Sequence, residues 1–236
     1  MGEDTVGIAG LGSYLPQKVV DAWEAVAPSG VSRRKFDKIG CKRLHVAAEG
    51  EMPSDMAVAA GRRALADAGL EPADVDLIIY TGSVKDHGRW QAAAKVQADL
   101  GCSNAFGFDI YQGCNGQIIA MAIARSMMHD DSRLQNVLIC SAERYASTLA
   151  PPIVAHTYLF GDGASAGILR RGHPELALLS SVYKTWGDHH HTFCVPAMGA
   201  STRLTPEVLE GDGLQLQIYR PVYETYEELQ LFGVRC

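Results

Sequence analysis

The sequence predicts an α/β protein built on a mixed, mainly parallel sheet that is layered with helices. Apolar runs that fit buried strands alternate along the chain with alanine-rich stretches of helical spacing. The strand runs are continuously aliphatic, which is typical of a sheet covered by helices on both faces. With 47% apolar and 20% charged residues, the composition is that of an ordinary globular protein.

The N-terminal part begins with a predicted buried strand at residues 5–12. Its glycines superficially resemble a dinucleotide-binding fingerprint, but their spacing is not GxGxxG and Pro16 follows where that motif needs a helix. Close packing of the strand is therefore the better explanation. Residues 23–26 predict a short helix, and residues 42–47 predict a short edge strand.

An alanine-rich helix is predicted over residues 56–68, where apolar residues recur at every fourth position. Ser54 and Asp55 are predicted to cap its N-terminus, and Gly69 to end it. The other predicted elements, in chain order, are a strand at 75–82, a helix at 90–100, a strand at 105–111, a helix from the turn at 113–116 to 129, strands at 136–142, 164–170 and 176–183, and an amphipathic helix at 219–231.

The most informative stretch is residues 108–124, where a predicted strand meets a predicted helix at Cys114. After the turn, Ile118, Met121 and Ala122 recur at helical spacing, which predicts the buried face of this helix. Cys114 is therefore expected between a buried strand and the first turn of a buried helix.

The residues around Cys114 are those of a candidate nucleophile. Gly113 directly precedes Cys114, and Gly116 follows it after Asn115. The two glycines let the backbone turn tightly and a substrate approach closely. Free N–H groups at a helix start favour the thiolate, and the Cys114 N–H can donate to an oxyanion formed on an attacked carbonyl. This is the backbone arrangement of a nucleophile elbow with sulfur as the nucleophile. A packing role stays open, because free cysteines are usually buried and inert.

Charge and cysteine usage exclude several classes of protein. The net charge of -6 and the lack of a basic run argue against a nucleic-acid partner, and residues 33–35 are expected to be a solvated basic surface. The apolar runs are too short to span a membrane. Without CxxC spacing or a secretory signal, we expect no metal site and free thiols in the cytoplasm. The histidine run 189–191 is expected to be an exposed loop.

Four segments, taken together and in order, resemble the type III beta-ketoacyl-ACP synthases of the thiolase superfamily. The cysteine segment combined with Phe-Gly-Asp-Gly-Ala is the specific pair, and the resemblance extends from residue 5 to about residue 200. The four segments are residues 10–16, 108–116, 141–143 and 160–164.

The resemblance implies a thiolase-like fold in two parts. Residues 1–185 are expected to form an N-terminal thiolase-like half that carries the nucleophile, and residues 186–236 a connecting region with the start of an incomplete C-terminal half. The family completes a Cys-His-Asn triad from its second half, so we expect this chain to be incomplete. A lone half is expected to expose the apolar face of the helix after Cys114, and to dimerise or aggregate.

The resemblance also implies an acyltransferase. Cys114 would take an acyl group from acyl-CoA or an acyl carrier protein and pass it to a malonyl thioester or another acceptor, in fatty-acid or secondary-metabolite biosynthesis. No cofactor is implied beyond the thioester substrate, and the expected assembly is a homodimer. Two alternatives stay open: a half-length, non-catalytic homologue that scaffolds or pairs with a full-length synthase, and a Cys-His hydrolase that uses His156 near Asp162.

The predicted substrate-binding residues follow from the same resemblance. Arg89 and Trp90 stand where the family usually has a proline, and either reshape the acyl pocket or serve in core or surface packing. His156 stands in the region where the family has an arginine. The complete predicted set is Gly113, Asn115, Gly116, Arg89, Trp90, His156, Phe160 and Gly161.

Overall fold

The fold is taken from a computed structural model, which describes residues 5–148, 153–154, 158–190, 193–195, 197, 199–211 and 217–218. The chain forms two compact units. The first consists of Met1–Asp21, Arg43–Thr148 and Gly161–Ser181, and the second of Ala22–Lys42, Leu149–Phe160 and Val182–Cys236. The expected division at residues 185 and 186 refers to the halves of a longer protein and stays a prediction.

Helices and strands alternate through most of the chain, as the sequence predicts. In chain order the elements are β1 (Val6–Tyr14), β2 (Val19–Asp21), α1 (Ala22–Val26), α2 (Arg33–Ile39), β3 (Arg43–His45), α3 (Pro53–Ala68), β4 (Leu77–Tyr80), α4 (Ala92–Leu100), β5 (Phe106–Asp109), α5 (Gly116–Asp130), β6 (Asn136–Arg144), β7 (Ile153–Val154), β8 (Tyr158–Leu159), β9 (Asp162–Arg171), β10 (Phe193–Cys194), α6 (Pro206–Glu210) and β11 (Gln217–Ile218).

The first unit is organised around a five-stranded sheet with the order β1-β9-β6-β4-β5. Strand β4 pairs in parallel with both β5 and β6, whereas β9 is antiparallel to β6 and to β1. Four of the five strands therefore run in one direction and β9 runs against them. The predicted mixed, mainly parallel sheet is confirmed.

Both faces of this sheet are covered by helices. In β4, Ile78 and Tyr80 belong to the core formed with α3 and α4, whereas Leu77 and Ile79 belong to the core formed with α5. All four side chains are fully buried. Because consecutive residues point to opposite faces and both faces are covered, the strand is apolar at every position.

Strand β1 packs directly on α3, which buries Met56, Ala60 and Ala64. A Cβ atom on Gly10 or Gly12 would collide with the α3 backbone near Ala64 and Ala60 respectively. The glycines of β1 therefore serve close packing, as predicted.

The N-terminus of α3 differs from its prediction. The helix starts at Pro53, and its N-cap residue makes no side-chain capping bond. Ser54 is inside the helix, where its N–H and hydroxyl donate to the carboxylate of Asp86 at 3.0 and 2.5 Å. A carboxylate from a distant loop thus satisfies this helix end, and the predicted cap is wrong. The predicted end at Gly69 is confirmed.

The predicted strand at residues 176–183 does not form. A single bridge joins Ala177 to Gly7 of β1. Leu176 has φ 47°, a left-handed conformation that interrupts an extended chain. Beyond the bridge, Leu179 is 78% exposed and packs into neither core.

The second unit contains α1, α2, α6 and the strand pairs β7-β8 and β10-β11. The Trp23 and Phe36 rings lie 5.3 Å apart, and the Arg33 guanidinium group lies 5.0 Å from the Trp23 ring centroid. The basic residues 33–35 are exposed, as predicted.

The predicted helix at 219–231 lies outside the described residues. Within the described part of the chain, no helix has the length and apolar character needed to cross a membrane.

Candidate active site

Cys114 lies in a single turn of 3-10 helix, Gly113–Asn115, that leads directly into α5. Gly113 has φ 56°, a left-handed conformation that glycine adopts without strain. The N–H of Gly116 closes the turn by donating to the Gly113 carbonyl, and Cys114 is exposed. The predicted location of the cysteine is confirmed; its role as nucleophile stays a prediction.

The turn sits at the carboxyl edge of the parallel strands, where α/β proteins commonly build sites. Gly116 packs against Thr81, the residue after β4. The Thr81 N–H donates to Cys140 of β6 at 2.9 Å, and Ile110 N–H donates to Tyr80 at 2.8 Å. The ends of β4, β5 and β6 are thereby held together beside the cysteine turn.

The strand and helix that flank Cys114 are less buried than predicted. Strand β5 is an edge strand of partial exposure. Helix α5 does not bury the predicted face, and Ile118 is 63% exposed. The buried stripe of α5 is instead Gly116, Ala120, Ala124 and Met128. Its three small residues let the helix lie close to the sheet, and Met128 fills the core at its far end, whereas Ile118 and Ile123 remain exposed.

An open cleft of about 320 Å³ lies beside α5 in the first unit. Its lining is mainly apolar and includes Leu11, Met121 and Leu169. Gln117, the second residue of α5, lines the cleft and donates to the Ser165 hydroxyl at 2.9 Å. The cleft is therefore an apolar space that begins close to the start of α5.

A carboxylate at the end of β6 holds the loop that follows β4. Glu143 accepts the backbone N–H of Ser83 at 2.7 Å and that of Val84 at 3.0 Å. Burial raises the pKa of Glu143, whereas the hydrogen bonds from these N–H groups and from the Ser83 side chain act in the opposite direction. The carboxylate thus fixes where the loop begins.

Tyr145 follows this carboxylate by two positions and is partly buried. Burial raises the pKa of Tyr145 to about 12, with further increases from Glu143, Tyr111 and Cys114, while a hydrogen bond with the Ser83 side chain lowers it. The Tyr145 hydroxyl is therefore protonated at neutral pH. The Ser83 side chain hydrogen-bonds both to Tyr145 and to Glu143.

A second carboxylate closes the other end of the same loop. Asp109 is the last residue of β5. Its carboxylate accepts a hydrogen bond from the Lys85 ammonium group at 2.5 Å and from the N–H groups of Ala92 and Ala93 at 2.9 Å each. The side chains of Lys85 and Asp109 are 19% and 9% exposed. Asp109 is thus a mostly buried ion-pair partner that also caps α4, which starts at Ala92 and not at Trp90 as predicted.

The glycine-rich segment contributes a third carboxylate. Asp162 is 3% exposed and accepts the N–H groups of Ala47 at 2.7 Å and Ala146 at 2.6 Å. A Cβ atom on the neighbouring Gly161 would make only ordinary contact with the His45 carbonyl, at 3.5 Å. The segment therefore fixes the backbone on both sides through its buried aspartate.

The remaining predicted binding residues are not brought to Cys114 by any described contact. Arg89 is exposed, with φ 52°. Trp90 is partly buried against the core of α3 and α4 and makes an edge-to-face contact with His87 at 5.4 Å. That position fits the packing role left open for Trp90. Phe160 is partly buried in the second unit, and His156 lies outside the described residues.

Sequence reasoning did not assign roles to Glu143, Ser83, Tyr145 and Asp109. Glu143 and Asp109 stand inside segments that carry the family resemblance, so the sequence marks their positions, but no local pattern says what a carboxylate contacts.

Among the described residues, no three His, Cys, Asp or Glu side chains group as metal ligands. Part of the histidine run falls in the turn Gly187–His189, and His191 is not described.

The sheet order, the two helix layers and the cysteine turn at the carboxyl edge define an α/β protein with a thiolase-like fold. Comparisons with known proteins then give the family that this chain resembles. Residues 108–187 match the family model of 3-Oxoacyl-[acyl-carrier-protein (ACP)] synthase III. The resemblance stated from the sequence is confirmed: the chain is homologous to part of a beta-ketoacyl-ACP synthase III.

Individual relatives show how far the similarity extends. The beta-ketoacyl-[acyl-carrier-protein] synthase III of Ehrlichia canis (strain Jake) is 39% identical over 163 residues, which are 69% of this chain and 51% of that protein. The crystal structure of 3-oxoacyl-(acyl carrier protein) synthase III from Pseudomonas aeruginosa PAO1 matches with TM-score 0.76 and 26% identity, over 91% of this chain and 65% of that one. A priming beta-ketosynthase of the R1128 polyketide pathway matches with TM-score 0.59 and 27% identity, over 71% and 50%. This chain thus spans between half and two thirds of these proteins.

Proposed function

We propose that this chain is part of an acyltransferase of the beta-ketoacyl-ACP synthase III type, with Cys114 as the acyl carrier. The observation that carries the proposal is an exposed cysteine in the turn between β5 and α5, in a chain homologous to these synthases. The acyl donor is an acyl-CoA or an acyl carrier protein.

In the first half-reaction, the Cys114 thiolate attacks the thioester carbonyl carbon of the donor. The bond from that carbon to the donor sulfur breaks, the donor leaves as a thiolate that takes up a proton from the solvent, and the acyl group remains on Cys114 as a new thioester. The Cys114 N–H and the start of α5 supply hydrogen-bond donors for the oxyanion that forms in between. We propose that this step uses no resident cofactor or metal.

In the second half-reaction, the acyl group passes to a malonyl thioester or to another acceptor. The matched proteins include fatty-acid-type synthases and a polyketide priming ketosynthase, so both kinds of pathway are proposed. The histidine and asparagine that the resemblance implies for this step have no counterparts in motif positions of this chain. The acceptor step is therefore proposed for the longer protein.

Intact-mass measurement tests the proposal. The chain is incubated with a panel of acyl-CoAs and acyl carrier proteins, with and without EDTA. We expect a mass increase of one acyl group that is lost in Cys114→Ala and kept in Cys194→Ala, which removes another exposed cysteine. EDTA is expected to have no effect. If no donor gives an adduct, the non-catalytic, half-length alternative replaces the proposal.

We also propose that the protein is a homodimer in the cytoplasm. Strand β5 lies at the edge of the sheet, and its Phe106 is 49% exposed, which supports pairing with a second copy. The free cysteines among the described residues fit a reducing compartment. Sedimentation equilibrium should show a dimer that Phe106→Lys weakens and Val19→Lys, on the separate β2-β3 pair, leaves intact. A wild-type monomer at all concentrations would refute the dimer, and recovery in the culture medium would refute the compartment.

A further inference from the structure

We propose that Asn115 is a site of spontaneous deamidation, and that the aspartate formed there weakens Cys114 as a nucleophile. The modification depends only on this chain and on water. Its consequence for acyl transfer rests on the proposed function, which assigns the acyl group to Cys114.

Asn115 differs from the other asparagines of the chain in the residue that follows it. Of the three asparagines, Asn104, Asn115 and Asn136, only Asn115 precedes a glycine. A glycine has no Cβ atom, so its backbone nitrogen can approach the preceding side chain without steric hindrance. Asn115 is also exposed, so water reaches its side chain. The sequence and the exposure therefore both favour deamidation at this position.

The Asn115 side chain is not held by the helix that it precedes. Asn115 is the N-cap residue of α5, but its side chain makes no capping hydrogen bond. A capping asparagine normally uses its side-chain oxygen to accept from an N–H group of the first turn. Here the amide carbon is left accessible to a nucleophile from the main chain, and the nitrogen of Gly116 follows it directly in the sequence.

The reaction uses that backbone nitrogen as the nucleophile. The Gly116 nitrogen loses its proton to solvent and attacks the side-chain carbonyl carbon of Asn115. The bond from that carbon to the amide nitrogen breaks, and the nitrogen leaves as ammonia with a proton from solvent. Water then adds to one of the two carbonyl carbons of the resulting succinimide and opens the ring. The product is aspartate or isoaspartate, so one side-chain amide and one water have become one carboxyl group and one ammonia.

The conformation of the turn holds this reaction back while the turn is closed. Asn115 has ψ 0°, so the Gly116 nitrogen eclipses the Asn115 backbone nitrogen and not its Cβ atom. Ring closure needs the peptide group to rotate toward the side chain, which breaks the hydrogen bond from the Gly116 N–H to the Gly113 carbonyl. The Gly116 backbone is also packed against Thr81. Deamidation therefore proceeds from a locally opened turn, which forms at a smaller free-energy cost than the unfolded chain.

The product changes the charge next to Cys114. A carboxylate at position 115 disfavours the neighbouring thiolate, which is the form that attacks a thioester. Aspartate is as good an N-cap residue as asparagine, and its negative charge suits the start of a helix. The deamidated chain is therefore expected to stay folded while Cys114 reacts more slowly. Isoaspartate also lengthens the main chain by one methylene carbon beside the cysteine.

The test follows the full chain during incubation at pH 8, in buffer and in urea. Peptide mass mapping should show the mass change of an amide converted to an acid at Asn115, with Asn104 and Asn136 unchanged in buffer. Urea should accelerate the reaction at Asn115 at least about tenfold, because the turn no longer has to open.

The effect on Cys114 is measured as its rate of alkylation by iodoacetamide at pH 7. In the wild-type chain this rate should fall as the modified fraction grows. In Asn115→Ser, which has no amide to lose, the initial rate should persist through the same incubation. Asn115→Asp should react about two- to fivefold more slowly than Asn115→Ser, as one nearby unit charge in water allows.

The outcomes separate the modification from the function that it affects. If Asn115 stays unmodified in buffer while the chain in urea deamidates, the native turn does not open and the proposal is overturned. Equal alkylation rates for Asn115→Asp and Asn115→Ser would overturn the effect on Cys114. Neither measurement uses an acyl donor, so a fresh chain that forms no acyl adduct refutes the acyltransferase and leaves the deamidation site standing.

Discussion

Gly116 lies so close to Thr81 that a Cβ atom at position 116 would stand 2.9 Å from the Thr81 Cβ atom and 3.1 Å from its carbonyl oxygen. Thr81 is buried and hydrogen-bonded to β6, so it has little freedom to move. The start of α5, and with it Cys114, is therefore set by direct contact between a helix backbone and a strand end.

Gly116→Ala is expected to shift the start of α5 and to destabilise the protein by about 1–3 kcal/mol, the usual cost of an overpacked site. The rate of Cys114 alkylation by iodoacetamide should change as well, since the turn moves with the helix. Urea unfolding and peptide mapping measure the two effects. Gly50→Ala is the matched control, because nothing lies within 4 Å of a Cβ atom there. Equal stability of the two variants would contradict this account of Gly116.

Because Asp109 and Lys85 form an ion pair, substitutions at these two positions are expected to have strongly non-additive effects on stability. Asp109→Asn leaves a mostly buried ammonium group without its partner and should cost about 2–3 kcal/mol. Lys85→Met should partly rescue it, because the double variant no longer buries an unpaired charge. Urea unfolding of the four proteins gives the coupling energy. Asp37→Asn, in the exposed pair with Arg33, should cost no more than about 0.5 kcal/mol. Purely additive effects of the two buried substitutions would refute the coupling.

A substitution of Asp162 is expected to destabilise the protein, because two backbone N–H groups donate to its carboxylate. In Asp162→Asn a single amide oxygen replaces two carboxylate oxygens, so either Ala47 or Ala146 loses its acceptor inside the protein. We expect a loss of about 1–3 kcal/mol in the free energy of unfolding, measured in urea. Asp130→Asn, at the exposed end of α5, should stay within about 0.5 kcal/mol of the wild type. A similarly small change for Asp162→Asn would show that water replaces the lost acceptor.

The exposure of the cysteines predicts which of them react with a thiol reagent in the folded chain. Cys114 and Cys194 are exposed, whereas Cys102 and Cys140 are buried. Burial raises the pKa of Cys102 to about 11 and also raises that of Cys140, so neither forms a thiolate near neutral pH. At pH 8, iodoacetamide should modify the two exposed cysteines and spare the two buried ones until urea unfolds the chain. Peptide mass mapping reads the sites, and rapid native labelling of Cys140 would contradict the fold of β6.

Much of the fold could be predicted because its signals are local. The continuous apolar run of β4 reflects two covered faces, and Gly69 marks the end of α3 by its own conformation. Cys114 could be placed at a strand-to-helix turn because the glycines beside it stand in the sequence. The family resemblance needed only short segments in the right order. Each of these properties depends on residues within a few positions of one another.

Only the tertiary structure decided which face of α5 is buried. The helix is apolar nearly all round, so periodicity could not choose between Ile118 and the stripe that begins at Gly116 and Ala120. The helix lies close to the sheet, and only the face with small residues allows that approach. The tertiary structure also decided that Asp86 satisfies the start of α3 and that Glu143 holds Ser83, 60 residues away. A backbone N–H at a helix or loop start can donate to any well-placed carboxylate, and the way in which strands β4, β5 and β6 come together determines which carboxylate lies there.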